Sequence, residues 1–375
     1  MNDRGHATKA VIHLDRLSHN MQLLQEAAGG VPLWPAIKAN AYGHGAELVA
    51  RHLISLGYGT LCVAHLSEAA ALSEAGLKAT FVILSAALPE EADSMVAYGV
   101  EPAVCTIDMV DSLSAAAQQA DKRIAVHVMV DTGMGRIGMR PNDVVPFLDR
   151  CRELPALEVR GIMSHFARAD EADKTSALEQ LARFNDLAAV AEAYGIQFRH
   201  MANSAAVFDL PSARFDVVRP GISIYGLAPS AEIANPKIRA LRPVLEWKTR
   251  ITFLKQVSAG TELSYGHSFV TGRDSLIATL PVGYGDGLHR SLSNRMDVLV
   301  HGVRCPQVGR ITMDQSLIDV TTLGRRAAVG DDAVLIGAQG SNEIGADELA
   351  ASLGTINYEM VTAIAARVPR VALGG

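Results

Sequence analysis

Residues 33–45 read Leu-Trp-Pro-Ala-Ile-Lys-Ala-Asn-Ala-Tyr-Gly-His-Gly, a short apolar run that ends at Lys38 and continues into small residues, a tyrosine and two glycines. The run predicts a buried strand followed by a turn. Partial loss of hydration at the end of such a strand lowers the pKa of a lysine and makes its amine nucleophilic toward an aldehyde. The glycines would let the backbone and Tyr42 approach a cofactor phosphate. Lys38 is therefore a candidate for imine formation, although a lone lysine beside a glycine turn is more often a plain surface residue.

Seven more strand-like runs follow up to about residue 230, with amphipathic helical stretches between them. This alternation is typical of repeated βα units. The eight predicted strands are Leu33–Lys38, Thr60–Ala64, Thr80–Leu84, Glu101–Val104, Arg123–Val130, Glu158–Met163, Gln197–Met201 and Asp216–Val218. Eight parallel strands in a stretch of this length predict an α/β fold of the (β/α)8, TIM-type barrel class.

The chain changes character after about Pro229, where β-branched segments are punctuated by glycine. This pattern predicts a mostly antiparallel β domain, closed by helices near residues 346–353 and 356–366. The apolar run Ala10–Leu14 is expected to pair with that domain. We therefore predict a barrel domain over residues 10–235 and a C-terminal β domain over residues 236–375, with residues 1–14 pairing with the latter.

Composition narrows the function classes. The chain has 375 residues, 49% of them hydrophobic, and a net charge of -6, which fits a globular protein of two domains without a nucleic-acid partner. The N-terminus lacks an apolar signal core, and no apolar run approaches the ~18 residues that a membrane span needs, so we expect a cytoplasmic protein with no membrane partner. Four widely spaced cysteines argue against a zinc site or a disulfide framework, and no metal is predicted.

Polar residues follow several predicted strands, and the active site of a barrel forms where its strands end. These residues are Lys38 after the first strand, Arg136 in a glycine-rich loop after the fifth, His165 after the sixth, His200 and Ser204 around the end of the seventh, and Arg219 after the eighth. Each alone has an ordinary structural explanation, such as a core histidine, a surface ion pair or a helix cap. Their placement at one mouth predicts a shared site.

Taken together, these motifs are similar to those of the alanine racemases, pyridoxal-phosphate enzymes whose barrel is followed by a β domain. The matching stretches are AIKANAYGHG at Lys38, DTGMGRIG at Arg136, SHFA at His165, HMANSAA at Ser204, RPGISIYG at Arg219, LSYGHSF at Tyr265, LPVGYGDG at Tyr284, ITMDQ at Met313 and INYEM at Tyr358. They span nearly the whole chain.

The resemblance implies pyridoxal 5'-phosphate as cofactor, bound as an imine to Lys38. Its phosphate would be held by Tyr42, Ser204, the backbone of Gly221 and Ile222, and Tyr358. Arg219 would face the pyridine nitrogen, with His165 linked to it. Because arginine keeps its proton, the ring nitrogen would stay unprotonated, which disfavours decarboxylation and transamination.

Racemisation needs a base on each face of Cα. The resemblance implies that these are Lys38 and Tyr265, the latter from the second subunit of a homodimer with shared active sites. Tyrosine has a pKa of ~10, so we expect cationic help from His165. Arg136 and the backbone N–H of Met313 would bind the substrate carboxylate. Tyrosines in the access channel imply a small amino-acid substrate, alanine first, and a role in D-alanine biosynthesis for peptidoglycan precursors.

One position departs from the family pattern. Many members carry a lysine whose carbamate braces the carboxylate-binding arginine, whereas this chain has Met129. A thioether is a weak acceptor, so we expect a small anion such as chloride, or a carboxylate from elsewhere in the chain, beside Arg136.

Three alternative functions stay open. A racemase for serine or a broader set of small amino acids is the nearest. A barrel-type amino-acid decarboxylase with the same cofactor is disfavoured by Arg219, since such an enzyme is expected to place a carboxylate against the pyridine nitrogen. A non-enzymatic barrel that carries the cofactor would lack the β domain.

Overall fold

The structure, a computed structural model, describes residues 6–374. The strands in this part of the chain are β1 Lys9–His13, β2 Thr60–Val63, β3 Thr80–Ile83, β4 Glu101–Val104, β5 Ile124–Met129, β6 Leu157–Met163, β7 Phe198–His200, β8 Leu245–Arg250, β9 Phe253–Val257, β10 Glu262–Leu263, β11 Phe269–Val270, β12 Ser275–Leu280, β13 Asp297–Val300, β14 Val303–Pro306, β15 Ser316–Asp319, β16 Asp332–Gln339, β17 Asn342–Ile344 and β18 Arg370–Leu373.

The α-helices are Leu14–Ala27, Ala46–Ser55, Leu66–Glu74, Ala92–Tyr98, Ile107–Gln119, Val144–Arg152, Thr175–Asn185, Ala188–Ala193, Ser204–Asp209, Ala346–Leu353 and Asn357–Thr362. The chain forms two compact units. The barrel unit comprises Leu17–Ala41 and Ala46–Arg242, and the β unit comprises the described residues before Leu17, Tyr42–Gly45 and the residues from Pro243 onward. Among the described helices, none has the length and apolar character needed to cross a membrane.

The barrel unit is built on six parallel strands, β2 to β7, each paired with the next. The first and eighth predicted strands complete the ring through isolated bridges, Leu33 to Val218 and Ala36 to Cys62. The backbone N–H of Arg219 donates to the carbonyl of Ala202 at 2.9 Å, which joins the eighth segment to the end of β7. The predicted barrel class is thus confirmed. The first segment is not a regular strand because Pro35, in its middle, lacks the N–H that a ladder requires.

The β unit contains a seven-stranded sheet in the order β14-β13-β16-β8-β1-β18, with β17 paired to β16. Two smaller sheets, β15-β12-β9 and β10-β11, complete it. β1 lies between β8 and β18, with Ala10 opposite Trp247 on one side and Arg370 on the other. Residues 9–13 thus pair with two strands of the C-terminal region, while residues 1–5 lie outside the described residues. The predicted domain bounds stay a prediction. The last helix ends at Thr362, four residues before the predicted end at 366.

Candidate active site

The backbone after Lys38 forms a left-handed turn. Ala39, Asn40, Ala41 and Tyr42 have φ between 51° and 54°, a region that costs roughly 1–2 kcal/mol per residue for side chains other than glycine. Gly43 and Gly45, which the sequence predicted to let the backbone approach a cofactor phosphate, also have positive φ, of 84° and 96°, but glycine adopts this region without strain. The structure places the strain instead in four residues with side chains, directly after the candidate lysine.

Hydrogen bonds from neighbouring elements hold this turn. The carboxylate of Glu68 accepts from the backbone N–H of Ala39 at 2.6 Å and, through its other oxygen, from that of Ala64 at 2.7 Å. The side-chain oxygen of Asn40 accepts from the N–H of Ala46 at 2.8 Å. These bonds offset the backbone strain and fix the position from which the Lys38 side chain extends.

The structure brings Lys38, Arg136, His165 and Arg219 within electrostatic reach of one another. Burial lowers the pKa of the Lys38 amine, and the charge of Arg136 lowers it further, while the carboxylate of Glu68 acts in the opposite direction. A lysine with a lowered pKa is the form that attacks an aldehyde or accepts a proton near neutral pH. The guanidinium groups of Arg136 and Arg219 beside this amine favour anionic ligands.

The surroundings of His165 favour its neutral form. Burial, followed by the charges of Arg219, Arg136 and Lys38, lowers the pKa of its imidazole to about 3. The expectation that His165 supplies cationic help is therefore wrong, because burial and the neighbouring basic side chains disfavour a protonated imidazole. Its expected hydrogen bond to Arg219 is also replaced, since that guanidinium donates to Nδ1 of His200 at 2.6 Å and to the carbonyl of Ser164 at 2.8 Å.

Ser204, Gly221 and Ile222 meet where the seventh and eighth segments end. The hydroxyl oxygen of Ser204 accepts from the backbone N–H of Gly221 at 2.8 Å and from that of Ser223 at 3.3 Å. Because this oxygen accepts two bonds, its own hydrogen stays available to a ligand. The hydroxyl of Ser223 is buried and has no hydrogen-bond partner among the described residues. This group can donate to an anion.

Tyr42 and Tyr358 pack together in the β unit, with ring centroids 6.1 Å apart. Gly43 allows this arrangement. Its φ is 84°, and a Cβ atom there would lie 2.0 Å from the carbonyl oxygen of Val361, in the helix that carries Tyr358. No side chain fits in that space, so the residue after Tyr42 must be glycine for the two phenol rings to approach.

Tyr265, Tyr284 and Met313 are exposed on the β unit, with 73%, 43% and 53% of their surfaces accessible in the single chain. The loops of the last two residues are joined, because Tyr284 donates its backbone N–H to Thr312 at 3.0 Å and Gly285 donates to Met313 at 2.9 Å. All three side chains are therefore accessible to another molecule.

Arg136 is exposed and makes no hydrogen bond or ion pair with the described residues. The carboxylate expected beside it is therefore not found in this part of the chain, and that half of the expectation is wrong. Met129 is buried against Ala103 and Met163 in a wholly apolar cluster, against which Ile137 also packs. The expectation of a small anion beside Arg136 stays a prediction.

Sequence reasoning missed Glu68 and a buried line of polar side chains that runs from Arg219 to Glu101 through His200 and His127. A signal for the line was present, since Glu101 and His127 interrupt the otherwise apolar strands EPAV and IAVHVM. A polar residue at such a position must find a buried partner, although the sequence does not say which one.

Comparison with known proteins gives a consistent family. The model of the alanine racemase N-terminal domain matches residues 12–229, and that of the C-terminal domain matches residues 244–372. The alanine racemase of Desulfovibrio desulfuricans is 43% identical over 365 residues, covering 96% of this chain and 97% of that protein. The alanine racemase of Halothermothrix orenii is 43% identical and covers 97% and 96%.

Solved structures agree. The alanine racemase from Streptomyces coelicolor A3(2) superposes with a TM-score of 0.92 at 37% identity, covering 98% of both chains. The enzyme from Streptomyces lavendulae, a D-cycloserine producer, gives a TM-score of 0.92 at 36% identity and covers 99% of this chain and 98% of that one.

Proposed function

The chain belongs to the alanine racemase family, a family of isomerases, and we propose that it interconverts L- and D-alanine with pyridoxal 5'-phosphate as cofactor and with Lys38 and Tyr265 as the two bases. The observation that carries the proposal is the group of basic side chains Lys38, Arg136 and Arg219 around His165, with the pKa values of Lys38 and His165 both lowered. A site of this charge fits two anions at once, the phosphate of the cofactor and the carboxylate of the substrate.

The residues present fit the cofactor. Ser204 and Ser223 offer hydroxyl hydrogens, one of them on a buried group without a partner among the described residues, and Lys38 offers an amine with a lowered pKa. When bound, the cofactor supplies an electron-accepting ring that makes the Cα proton of an attached amino acid acidic. The residues proposed to hold it are Lys38, Tyr42, His165, Ser204, Arg219, Gly221, Ile222 and Tyr358, the two tyrosines on the strength of the family resemblance.

Arg219 would donate to the pyridine nitrogen. Two of its N–H groups are committed to His200 and Ser164, which fixes the guanidinium and leaves further donors for a ligand. Because an arginine does not give up its proton, the ring nitrogen stays unprotonated and its electron withdrawal is limited. Limited withdrawal favours return of the proton to Cα over loss of the carboxylate. The decarboxylase alternative needs a carboxylate in this place, and the guanidinium of Arg219 has none as a partner among the described residues.

The two bases would act on opposite faces of the substrate. Burial lowers the pKa of the Lys38 amine, which favours the neutral form that can take up a proton. Tyr265 would give up its proton in one direction and take one up in the other. We assign Tyr265 and Met313 to the site of a partner subunit in a homodimer, as the family resemblance implies, and their exposure on the single chain is compatible with this. Arg136 and the backbone N–H of Met313 would bind the substrate carboxylate.

The product fits a biosynthetic role. We propose that the enzyme works in the cytoplasm and supplies D-alanine for peptidoglycan precursors, as the family resemblance implies. The substrate is a small amino acid, and serine is the nearest competitor to alanine.

Borohydride reduction followed by peptide mapping tests the attachment site. The enzyme is loaded with pyridoxal phosphate, reduced and digested, and the label is expected on the peptide that contains Lys38. A Lys38→Arg variant, which keeps the charge, should lose the label, while a Lys78→Arg variant should keep it. A label on any other lysine in the parent enzyme would overturn the assignment.

Subunit complementation tests the shared site. Lys38→Ala and Tyr265→Ala chains should each be inactive, and a mixture of the two should recover part of the activity, because a heterodimer holds one intact site. Each variant mixed with itself is the control. No recovery, under conditions where subunit exchange is demonstrated by a tagged chain, would contradict the assignment of Tyr265 to the partner.

A further inference from the structure

A continuous line of buried side chains crosses the barrel unit from Arg219. Its guanidinium Nη1 lies 2.6 Å from Nδ1 of His200, Nε2 of His200 lies 2.9 Å from Nδ1 of His127, and Nε2 of His127 lies 3.0 Å from Oε2 of Glu101. All four residues are at most 6% exposed. The other oxygen of Glu101 accepts from Arg160, which is partly exposed at the far end of the line.

The direction of each hydrogen bond in this line is determined by its ends. Arg219 can only donate, so Nδ1 of His200 must accept and the ring proton of His200 must lie on Nε2. That proton is donated to Nδ1 of His127, whose own proton therefore lies on Nε2 and is donated to Glu101. Both imidazoles are thus neutral Nε2–H tautomers. Burial, the largest cause in each case, lowers the pKa of both rings, in agreement with this arrangement.

The two imidazoles are held in place by packing. The Trp34 ring contacts them edge to face, with centroids 5.5 Å from His127 and 5.1 Å from His200. Gly161 lies beside His127, and a Cβ atom on it would be 2.1 Å from Nδ1 of that ring. The two imidazole rings therefore have little room to rotate. If a neighbouring group changes from acceptor to donor, the ring can respond only by moving its proton to the other nitrogen.

We propose that Glu101 is a positioning residue for Arg219, acting through the ordered donors of His127 and His200. The carboxylate accepts at both oxygens, so it satisfies Arg160 on one side and sets the tautomer of both histidines on the other. The guanidinium of Arg219 is thereby held in one orientation toward the pyridine ring that is proposed to bind beside it. The effect on catalysis rests on the proposed function, whereas the tautomers do not.

The variant Glu101→Gln tests the order of the line. Arg160 requires the amide oxygen, so the amide NH2 group must face His127 and donate to Nε2 of that ring. His127 must then carry its proton on Nδ1 and donate to His200, which in turn must carry its proton on Nδ1, facing an N–H group of Arg219. Two donors would then oppose each other at the Arg219 end, and that hydrogen bond would be lost.

The tautomers can be read by nitrogen-15 NMR of labelled histidines at neutral pH in protein without added cofactor. In the parent protein we expect Nε2–H signals for His127 and His200, and in Glu101→Gln a shift of His127 to Nδ1–H. Glu158→Gln, which also removes a carboxylate partner of Arg160 at 3.4 Å, is the matched control and should leave both tautomers unchanged. An Nδ1–H or doubly protonated ring in the parent protein would overturn the proposal without the need for any variant.

The double variant Glu101→Gln with Arg160→Gln provides a rescue. Without the obligate donor at position 160, the new amide can turn its oxygen toward His127 and restore the original order. In the loaded enzyme we expect Glu101→Gln to lower kcat on the order of 10-fold or more with little change in KM, because Arg136 is untouched, and the double variant to recover most of the loss.

Equal loss in the single and double variants would show that Glu101 acts only as packing, and the proposal would fail. The NMR and rescue experiments also separate this inference from the function. If the tautomers are as predicted but borohydride does not label Lys38, the line stands and the cofactor assignment falls.

Discussion

The carboxylate of Glu68 lies 2.6 Å from the backbone nitrogen of Ala39, the residue that follows Lys38. Its second oxygen accepts from Ala64 at 2.7 Å, just after β2. One carboxylate therefore bridges two neighbouring strand ends and holds a left-handed turn that the chain would not favour by itself. The position of Lys38 is therefore fixed by a residue, Glu68, that lies in a different segment of the chain.

Replacing Glu68 with glutamine should loosen this turn. An amide offers only one acceptor oxygen, so one backbone N–H loses its partner, and we expect the free energy of unfolding to fall by roughly 1–2 kcal/mol. Removing the negative charge should also lower the pKa of Lys38 further, since Glu68 raises it. Urea unfolding measures the free energy of unfolding. The pH dependence of Lys38 modification by an amine-reactive reagent measures the pKa of Lys38.

Glu74→Gln, on the same helix, is the control, because Glu74 accepts from Tyr98 and makes no bond to the turn. Equal stability of the Glu68 variant and the parent protein, with an unchanged Lys38 pKa, would mean that the turn is held by other contacts.

Gly43→Ala should be far more harmful than a similar change elsewhere. The new Cβ would lie 2.0 Å from the carbonyl of Val361, so we expect a loss of more than about 3 kcal/mol. Gly330→Ala in the same unit is matched in backbone, with φ of 97°, but meets nothing within 4 Å and should cost about 1–2 kcal/mol. Thermal unfolding followed by Trp247 fluorescence in a Trp34→Phe background reports on this unit. Similar losses in both variants would contradict the steric argument.

Acid should destabilise the barrel unit through its neutral histidines. The pKa is lowered to about 3 for His165 and lies well below 6.5 for His200, so the unfolded chain binds protons below pH 6.5 that the folded unit does not. Stability is then full above pH 6.5 and falls as the pH decreases, by roughly 3 kcal/mol in total between pH 6.5 and pH 5.

Urea unfolding of a Trp247→Phe variant, in which Trp34 reports on the barrel unit, measures this slope. His165→Asn should remove about half of it, while His65→Asn, at an exposed position, should leave it intact. A barrel unit equally stable at pH 5 and pH 6.5 would show that the histidines are charged in the folded state.

Substrate binding through Arg136 should depend on halide concentration and should not depend on bicarbonate. Met129 lies in an apolar cluster and cannot form a carbamate, so activity should be unaffected by degassing or by added bicarbonate. Replacing chloride with a bulky organic anion should raise KM for alanine more than it lowers kcat, because the loss lies in carboxylate binding. Rescue by bicarbonate after degassing would show that some lysine does supply a carbamate.

The strand order of the barrel could be predicted because apolar runs such as β4 and β5 carry their own signal. The left-handed turn after Lys38 could not, since Ala39 and Ala41 have no intrinsic preference for that conformation and hydrogen bonds to the side chains of Glu68 and Asn40 hold it. The lowered pKa of His165 depends on burial and on three basic side chains that come from distant parts of the chain.

The line of hydrogen bonds from Arg219 to Glu101 could not be predicted from the sequence either. His127 and His200 are 73 residues apart, and only the closing of the barrel makes them neighbours. The residue types at the strand ends were sufficient to predict the shared site, because parallel strands present those ends at one edge. The pairing of the buried polar groups below this site depends on two further properties of the barrel strands: their register and which of their residues face inward.

The most direct test of the central claim is kcat/KM for alanine, serine, lysine and arginine in both enantiomeric directions, with product enantiomers separated by chiral chromatography. We predict that alanine is racemised best in both directions, serine at least about tenfold less well, and lysine and arginine scarcely at all. Equal or better turnover of lysine or arginine, or release of carbon dioxide in place of the opposite enantiomer, would contradict the assignment of this chain as an alanine racemase.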